Sequence, residues 1–371
     1  MGISKIPLMK PTIENDDIES MISAASKKEI SYGKLTHKFE DQFTYYLGLK
    51  GGVATNSGTS ALHLALRALN VKSGDEVIIP SYNCISLLHS IHYVHATPTF
   101  VDINFNVEHM DYNMDIEDVF NKITKNTKAI IVPHLFGSPA EIDKLINLDI
   151  PVIEDATQCI GSVYKNRLIG SFGTISVFSF HESKVLACGE GGMILTNSKD
   201  LLDQIKYLAD YAYEQPDLRL RRDETYLYKE RYNYKMNGIN ATLGLSQLKR
   251  IETFVKKRKE IAKIYTDEFF HLKGIELPDP LYKPNIFFRY IVNLNERHPI
   301  DILNFLLKKG IEGGRGVYPP LHYYKQNQSN NKNYPVTEYA LNHLLSLPLY
   351  PSLTESEIIY ITKCFEDALG E

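Results

Sequence analysis

Lys184 stands among neighbours that set it apart from an ordinary surface lysine. It follows the apolar run 175–178 and precedes the glycine-rich stretch 189–192. A strand fixes the position of the residues after it, and glycines let backbone approach closely. Burial beside a cationic group lowers a lysine pKa and favours the neutral amine that attacks a carbonyl carbon. The segment predicts a Schiff-base lysine, although a lone lysine is usually a solvated charge.

Asp155 is the candidate partner for a positively charged ring. It ends the apolar run that begins at Val152, where an ionised carboxylate is costly unless a cation meets it. A protonated pyridine nitrogen would serve, and Gln158 is close enough on a turn to reach the same ligand. A helix cap or a structural ion pair explains Asp155 equally well when it is taken alone.

A third segment is suited to binding phosphate. Residues 54–62, ATNSGTSAL, lead into the helical run 63–69. Small residues at a helix start let backbone N–H groups and hydroxyls approach an anion, and the helix dipole adds to the attraction. The segment predicts a phosphate site at Gly58, Thr59 and Ser60, whereas the commonest role of such a helix start is a simple N-cap.

These residues need elements that bring them together. Between residues 50 and 200, helical stretches alternate with short apolar, mostly β-branched runs, at 77–79, 99–101, 129–132, 152–153, 175–178 and 193–195. Such runs are typical of a parallel sheet covered by helices on both faces, so an α/β fold is predicted. Ligands bind at the carboxyl ends of these strands. The polar residues directly after the runs are therefore candidates: Ser81, Tyr82, His134, Glu154, Asp155, Ser179 and His181.

The length of 371 residues predicts two domains. A helical pattern at 243–255 looks like one long helix leading to a second unit, so we place a large domain at 1–250 and a smaller α+β domain at 251–371.

Composition excludes several classes of protein. A net charge of -4 suggests neither nucleic acid nor an anionic membrane as partner. Apolar runs are strand-length and the N-terminus lacks a signal-peptide pattern, so the cytoplasm is the expected location. The four cysteines, Cys84, Cys159, Cys188 and Cys364, have no metal-binding spacing, and no metal is expected.

At these residues the sequence resembles the sugar-nucleotide aminotransferases of the DegT/StrS family, a branch of the fold-type I enzymes that use pyridoxal 5'-phosphate (PLP). The resemblance covers essentially the whole chain. It rests on the order and spacing of motifs at 31–33 (SYG), 39–40 (FE), 58–62 (GTSAL), 153–158 (IEDATQ), 178–181 (FSFH) with Lys184, 189–192 (GEGG), 232–236 (YNYKM) and 345–351 (LSLPLYP).

The resemblance implies PLP as cofactor, with pyridoxamine phosphate as the intermediate form. Lys184 would carry PLP as a Schiff base and move a proton between substrate and cofactor. Asp155 would keep the ring nitrogen protonated, which makes the ring an electron sink, and Gln158 would lie near the ring oxygen.

The resemblance also implies that Thr59, Ser60 and Ser179 hold the phosphate. Asn233 would join them from a second protomer, so a homodimer with shared active sites is expected.

Three residues depart from the family pattern. Cys84 stands where an aromatic residue often stacks on PLP, a role that Tyr82 would take over. Lys235 replaces a common arginine, which keeps the charge but loses the bidentate geometry. Arg289 stands where a neutral residue or a histidine is expected.

Substrate contacts are the least determined part of the site. Arg219, Arg221 and Arg222, with Tyr232, suit the diphosphate and base of a nucleotide sugar, or form a solvated basic face. His134, His181 and His322 are candidates for the sugar pocket or for structural hydrogen bonds. Lys235 is a further candidate contact, and Arg289 and Arg315 are candidates for the donor carboxylate.

The expected reaction is a ping-pong transamination from an amino acid, glutamate by resemblance, to a nucleotide-linked 3- or 4-keto-sugar. The pathway would make surface polysaccharide or natural-product sugars. Alternatives are a cyclitol aminotransferase, a non-catalytic regulatory protein, and a sugar dehydratase that uses pyridoxamine phosphate. Dehydratases of this family carry histidine at the lysine position, so Lys184 disfavours that alternative.

Overall fold

A computed structural model describes residues 5–105, 110–210, 230–295, 297–324 and 334–370. The helices are α1 Asn15–Ser26, α2 Lys34–Leu47, α3 Gly58–Ala68, α4 Ser86–Tyr93, α5 Ile116–Lys122, α6 Lys199–Ala209, α7 Gly238–Leu248, α8 Ile251–Phe269, α9 Pro299–Lys308, α10 Pro335–His343 and α11 Glu355–Leu369. The strands are β1 Gly51–Thr55, β2 Glu76–Pro80, β3 Thr97–Val101, β4 Thr127–Pro133, β5 Val152–Asp155, β6 Val163–Tyr164, β7 Arg167–Leu168, β8 Ile175–Ser179, β9 Gly192–Thr196, β10 Tyr290–Asn293, β11 Gly314–Arg315 and β12 Leu344–Leu347.

Seven strands form the main sheet, in the order β1-β9-β8-β5-β4-β2-β3. Strands β8, β5, β4, β2 and β3 are parallel to their neighbours in this run, whereas β9 is antiparallel to both β1 and β8. The predicted α/β fold with a mostly parallel sheet is confirmed. The reversal at β9 places the β8–β9 connection, residues 180–191, at the edge where the parallel strands end.

Both faces of this sheet are buried, which explains the continuous apolar strands. In β2, Val77 and Ile79 join a core that includes residues of α3 and α4, whereas Ile78 joins a separate core on the opposite face with Val119 of α5. Successive side chains of a strand point to opposite faces, so a doubly covered strand needs apolar residues at every position. Each such buried side chain contributes about 1.5–3 kcal/mol.

Strand β1 was not predicted because its sequence, GGVAT, has little strand character. It needs small residues for another reason. A Cβ atom on Gly51 would lie 2.2 Å from a methyl carbon of Leu202 in α6. On the open side of the strand, the Glu40 carboxylate accepts the Ala54 N–H at 2.8 Å. Packing and a side-chain carboxylate therefore stabilise this edge strand.

A second core lies in the C-terminal part of the chain. Strands β10, β12 and β11 form an antiparallel sheet that packs with α8, α9 and α11. The long helix predicted through residue 255 is two helices, because the chain breaks at Lys249 and Arg250. The Arg250 guanidinium forms ion pairs with Glu14 and Asp17 of the N-terminal segment. The division at residue 250 stays a prediction.

Within the ranges that the structure describes, every helix is too short or too polar to cross a bilayer.

Candidate active site

The candidate residues meet at one edge of the main sheet. Asp155 ends β5, Ser179 ends β8, and Tyr82 follows the end of β2. These three strands belong to the parallel part of the sheet, so their carboxyl ends lie side by side. Strand β1 also ends at this edge, where the chain enters α3. The expectation that ligand chemistry gathers at the carboxyl edge therefore agrees with the placement of these residues.

Lys184 lies in the β8–β9 connection, which is held by backbone hydrogen bonds. The Cys188 N–H donates to the Phe180 carbonyl (2.8 Å), and the Lys184 N–H donates to the His181 carbonyl (2.9 Å). The half-buried side chain places Nζ 5.1 Å from the centre of the Phe288 ring. These contacts fix the amine at the sheet edge.

Burial lowers the pKa of Lys184, although the charges of Asp155 and Cys84 act to raise it. The nearby Arg289 guanidinium lowers this pKa further. A lowered pKa increases the fraction of neutral, nucleophilic amine at neutral pH. Asp155, Cys84 and Arg289 thus share the electrostatic environment of Lys184.

Asp155 is a buried carboxylate, 4% exposed, at the end of a central strand. Its Oδ1 accepts the Thr157 N–H at 3.1 Å, and its backbone carbonyl accepts the His134 N–H at 3.2 Å. None of the ion pairs among the described residues involves Asp155. A buried carboxylate is costly without a cation, so the geometry suits a positively charged ligand group.

The start of α3 lies against Ser179. A Cβ atom on Gly58 would lie 2.8 Å from the Ser179 Cβ, so only glycine allows this close approach. Ser57 caps the helix by accepting the Ser60 N–H at 3.1 Å, and the Ser60 hydroxyl donates to Asn56 Oδ1 at 2.6 Å.

The first N–H groups of a helix have no acceptor within the helix, so this start is suited to an anion. Thr59, next to Gly58, is half-buried here. Asn56 and Ser57 are additions to the predicted residues, and the polar run 55–57 was the signal for them.

Gln158 is oriented by a neighbouring turn. Its Oε1 accepts the backbone N–H of Phe136 at 2.9 Å, which leaves the amide NH₂ as the end that can donate to a ligand. Phe136 belongs to the 3₁₀ turn Leu135–Gly137 and adopts a left-handed backbone with φ of 57°. This turn was not predicted from the sequence.

His134 makes structural hydrogen bonds, which was the alternative left open, and its predicted sugar contact stays a prediction. It is 1% exposed, and both ring nitrogens are used: Nδ1 accepts the Ala140 N–H (2.9 Å) and Nε2 lies 3.2 Å from Glu154 Oε1. Because Nδ1 accepts, the proton of the neutral ring is on Nε2, which donates to Glu154. No ring nitrogen is left for a substrate.

Glu154 is fully buried and anchors the turn after β7. Its carboxylate accepts the N–H groups of Gly170 (2.6 Å), Phe172 (2.7 Å) and Gly173 (2.8 Å). Burial would raise the pKa of this carboxyl, but hydrogen bonds from His134 and from the backbone N–H groups hold it below its ordinary value. The two polar residues at the end of β5 therefore have different roles: Glu154 is structural, and Asp155 faces the site.

His322 also makes structural hydrogen bonds in the described chain, and its predicted sugar contact stays a prediction. It is 1% exposed, and Nε2 lies 2.9 Å from Glu338 Oε1 while Nδ1 is hydrogen-bonded to the Ser81 hydroxyl. His181, by contrast, is exposed. Its Nδ1 accepts the Ser183 N–H at 3.2 Å, its Nε2 lies 3.9 Å from Glu190 Oε1, and its predicted sugar contact stays a prediction.

Tyr82 and Cys84 differ in access to the site. Tyr82 is fully buried, its hydroxyl accepts the Val317 N–H at 3.0 Å, and its ring lies edge-on to Phe136. Burial raises the pKa of the Tyr82 hydroxyl. Its ring has no accessible face in the described chain, so a stacking role would require movement, whereas Cys84 is exposed.

The segment after residue 230 runs beside the start of α3. The Asn56 N–H donates to the Tyr234 carbonyl at 2.7 Å, and Tyr232 stacks on Tyr234 with ring centres 5.0 Å apart. Asn233 is exposed on this segment. Lys235 forms an ion pair with Asp210 at 2.6 Å.

The predicted arginines have three different outcomes. Arg219, Arg221 and Arg222 lie outside the described residues. Arg315 donates from Nη2 to the Leu341 carbonyl at 2.5 Å, and its guanidinium lies 4.4 Å from the centre of the Tyr318 ring. The Arg289 guanidinium lowers the pKa of Lys184, and its role as a donor contact stays a prediction.

Comparisons with known proteins identify the family of the chain. Residues 11–366 match the model of the DegT/DnrJ/EryC1/StrS aminotransferase family. GDP-perosamine synthase of Escherichia coli O157:H7 is 32% identical, with 98% of each chain covered.

Solved structures extend the likeness. The putative sugar aminotransferase Spr1654 of Streptococcus pneumoniae, solved in PLP and pyridoxamine phosphate forms, is 26% identical with a TM-score of 0.88, and its PLP form covers 99% of both chains. Helicobacter pylori PseC, an aminotransferase in pseudoaminic acid biosynthesis, is 25% identical with a TM-score of 0.90, over 99% of this chain and 100% of its own.

Proposed function

Since the chain belongs to the DegT/DnrJ/EryC1/StrS aminotransferase family, we propose that it transfers an amino group from an amino acid, glutamate in the first instance, to a nucleotide-linked keto-sugar. The observation that carries the proposal is the position of Lys184, in the β8–β9 connection, at the sheet edge where the buried Asp155 ends β5. An amine poised to attack a carbonyl and a carboxylate that needs a cation are the two groups that such a transfer requires.

The cofactor of the family is PLP, and the residues of this site fit it. Gly58 packs closely against Ser179. We propose that Ser179, together with Thr59 and Ser60 at the start of α3, binds the phosphate. Asp155 suits the ring nitrogen. When bound, PLP withdraws electrons from the carbon that exchanges the amino group.

The residues of the chain then supply binding and proton transfer. Lys184 Nζ would hold the cofactor and would move the proton at the reacting carbon, a role for which its lowered pKa is suited. Asp155 holds a proton on the ring nitrogen by its negative charge. Gln158 donates its NH₂ toward the ring oxygen, because its carbonyl is already bonded to Phe136. Phe288, 3% exposed, excludes water beneath the amine.

The relatives support a sugar as the amino acceptor. GDP-perosamine synthase and the spore coat polysaccharide protein SpsC of Bacillus subtilis, 31% identical over 98% of this chain, are named for steps in sugar or polysaccharide synthesis. We therefore propose that the pathway makes a surface polysaccharide or a related sugar. A lysine at 184 argues against the dehydratase alternative.

The proposal is tested by incubating the PLP-loaded protein with L-glutamate and a panel of nucleotide-linked 3-keto and 4-keto sugars. We expect an amino-sugar product and 2-oxoglutarate in equal amounts for at least one sugar. Formation of a deoxygenated sugar without amine transfer would identify a dehydratase. Turnover of cyclitol ketones alone would assign the cyclitol reaction instead.

We also propose a homodimer in which Asn233 completes the phosphate site of the partner. Its exposure beside the start of α3 supports this arrangement, because the side chain is available to a second copy. We expect Asn233→Ala to weaken PLP binding about 10-fold, since a hydrogen bond to a charged group is lost. Mixing inactive Lys184→Ala with Asn233→Ala at limiting PLP should restore activity.

Restoration occurs because a mixed dimer then contains one intact site. A mixture that gains no activity over its parent variants would show that Asn233 acts within its own protomer, and a monomeric protein in sedimentation would contradict the dimer itself.

A further inference from the structure

His63 lies in α3, the helix whose start is the predicted phosphate site. It is 4% exposed, and its Nδ1 lies 3.1 Å from the Tyr234 hydroxyl. Its Nε2 is buried and has no hydrogen-bond partner among the residues that the structure describes. A buried ring nitrogen without a partner is destabilising, which indicates that this residue does more than fill the core.

The surroundings of His63 are aromatic and keep its ring neutral. Its ring centre is 4.8 Å from that of Tyr232, 5.4 Å from that of Tyr93 and 5.9 Å from that of Tyr234. Burial and the charge of Arg67 lower the pKa of His63 to about 4. At neutral pH the ring therefore has one donor and one acceptor nitrogen, and its bond to Tyr234 joins two neutral groups.

A second contact, one turn later, holds the same segment to α3. The Arg67 guanidinium donates to Glu230 Oε2 at 2.9 Å, and the Tyr232 hydroxyl donates to Glu230 Oε1 at 2.9 Å. Tyr232 and Tyr234 alternate with the exposed Asn233, as in extended backbone, so the two tyrosine rings face α3 while Asn233 does not. Side chains at positions 63 and 67 therefore attach the segment 230–234 to α3.

This segment also contacts the start of α3. The Tyr234 carbonyl accepts the Asn56 N–H at 2.7 Å, and Asn56 Oδ1 accepts the Ser60 hydroxyl at 2.6 Å. The Ser60 Oγ also lies 2.8 Å from the Ser57 Oγ. A continuous chain of contacts therefore leads from His63 to Ser60, which is proposed to bind the cofactor phosphate.

We propose that His63 is a positioning residue for the cofactor phosphate and acts through Tyr234 on the Ser60 hydroxyl. The bond to His63 holds Tyr234, the Tyr234 carbonyl anchors the backbone of Asn56, and the Asn56 side chain then fixes where the Ser60 oxygen lies. Groups that are already in place bind an anion more tightly, because they do not have to be ordered when the ligand arrives. This inference rests on the proposed function, since it assumes that Ser60 binds the phosphate.

Filling the aromatic core is the other role that His63 could have. An apolar side chain of similar size would do so without leaving a polar atom unpaired, so the histidine is better explained by its bond to Tyr234. The two roles also differ in their consequences. Loss of a core residue lowers the stability of the fold or the affinity for every form of the cofactor, whereas loss of a phosphate-positioning residue weakens only ligands that carry a phosphate.

The test compares the affinity of the apoprotein for PLP with its affinity for pyridoxal, which has the same ring and aldehyde but no phosphate. The absorbance of the bound form measures both. We expect Tyr234→Phe, which removes only the hydroxyl, to weaken PLP binding about 3- to 10-fold and to leave pyridoxal binding unchanged. His63→Leu should weaken PLP binding about 10-fold. His63→Asn, whose amide can take the place of Nδ1, should recover most of that loss.

A double-mutant cycle measures whether the effect passes through Ser60. In a Ser60→Ala background, Tyr234→Phe should cause no further loss of PLP affinity, because the group that it positions is absent. The matched controls are Tyr360→Phe, which removes a hydroxyl of α11 bonded to a backbone carbonyl, and His343→Leu, at a half-buried histidine of α10 that stacks on Tyr339. Both controls should keep the wild-type affinities for PLP and pyridoxal.

Three results would overturn the positioning role: equal weakening of PLP and pyridoxal, unchanged PLP affinity in Tyr234→Phe and His63→Leu, or losses that add in the Ser60→Ala background. If His63→Leu does not fold, Tyr234→Phe alone decides by the same readout. A wild-type protein that binds PLP no more tightly than pyridoxal would contradict the phosphate site itself. Failure of the proposed function is a separate result, because a protein with the expected affinities that aminates no keto-sugar would retain the role of His63 and lose the sugar reaction.

Discussion

Lys184→Ala should lose essentially all transamination, by about 10⁴-fold or more, because one substitution removes both the covalent attachment and the proton transfer. The purified variant should lack the visible absorbance of lysine-bound PLP, and borohydride should fix no cofactor to the peptide that contains residue 184. The amine is positioned by the β8–β9 connection and by Phe288, so no other described lysine has the same environment.

The matched control is Lys256→Ala, at an exposed lysine of α8 whose ammonium lies 3.8 Å from Glu260. That variant should keep wild-type absorbance and turnover. An unchanged cofactor spectrum in Lys184→Ala would show that another group holds PLP. The assignment of the active site to Lys184 would then be wrong.

Asp155→Asn should lower turnover about 10²- to 10³-fold, the magnitude typical of removing a preorganised electrostatic group. Asparagine keeps the shape of the side chain, and its carbonyl oxygen can still accept the Thr157 N–H. The change therefore removes the negative charge while it preserves the local fold. Single-turnover kinetics with glutamate would measure the loss in the first half-reaction.

The control is Asp143→Asn, at a surface carboxylate paired with Lys165 at 2.5 Å. Its turnover should not change. Turnover of Asp155→Asn within a few-fold of wild type would show that this carboxylate does not hold the ring proton, and its role would then be to cap the Thr157 turn.

Much of the large sheet could be predicted because its strands are buried on both faces. The run Ile78–Ile79 is apolar at successive positions, which is a local signal of double burial. Strand β1 was not predicted because close packing against Leu202 requires glycine where strands usually have a strand-forming residue. The helix predicted through residue 255 failed because Arg250 turns toward acidic partners on α1, a contact that helical periodicity does not encode.

The candidate site residues that the structure brings together are those at or just after the ends of strands. Asp155, Ser179 and Lys184 follow or end apolar runs, and the sheet brings them together. The same rule selected His134, whose hydrogen bonds are structural, because strand ends also hold structural networks. Its burial against Glu154 and Ala140 depends on chain segments that the sequence does not show to be adjacent.

The contribution of the C-terminal part was the least predictable. Arg289 was a candidate for the donor carboxylate, but its contact with Phe136 had no signal in the sequence. Their relation depends on a contact across about 150 residues of chain, between the turn after β4 and the segment before β10. Such a pairing is visible only in the folded molecule.

The Leu135–Gly137 turn donates to Gln158 and accepts from the Arg289 N–H, so one short stretch of backbone supports a predicted cofactor contact and a residue predicted to bind the donor. Two ligands that share a support are thermodynamically linked: if the bound cofactor draws the turn into place, donor affinity rises by the same factor by which the donor tightens the cofactor. The apoprotein and the loaded enzyme would then differ in their affinity for amino acids as well as in their chemistry.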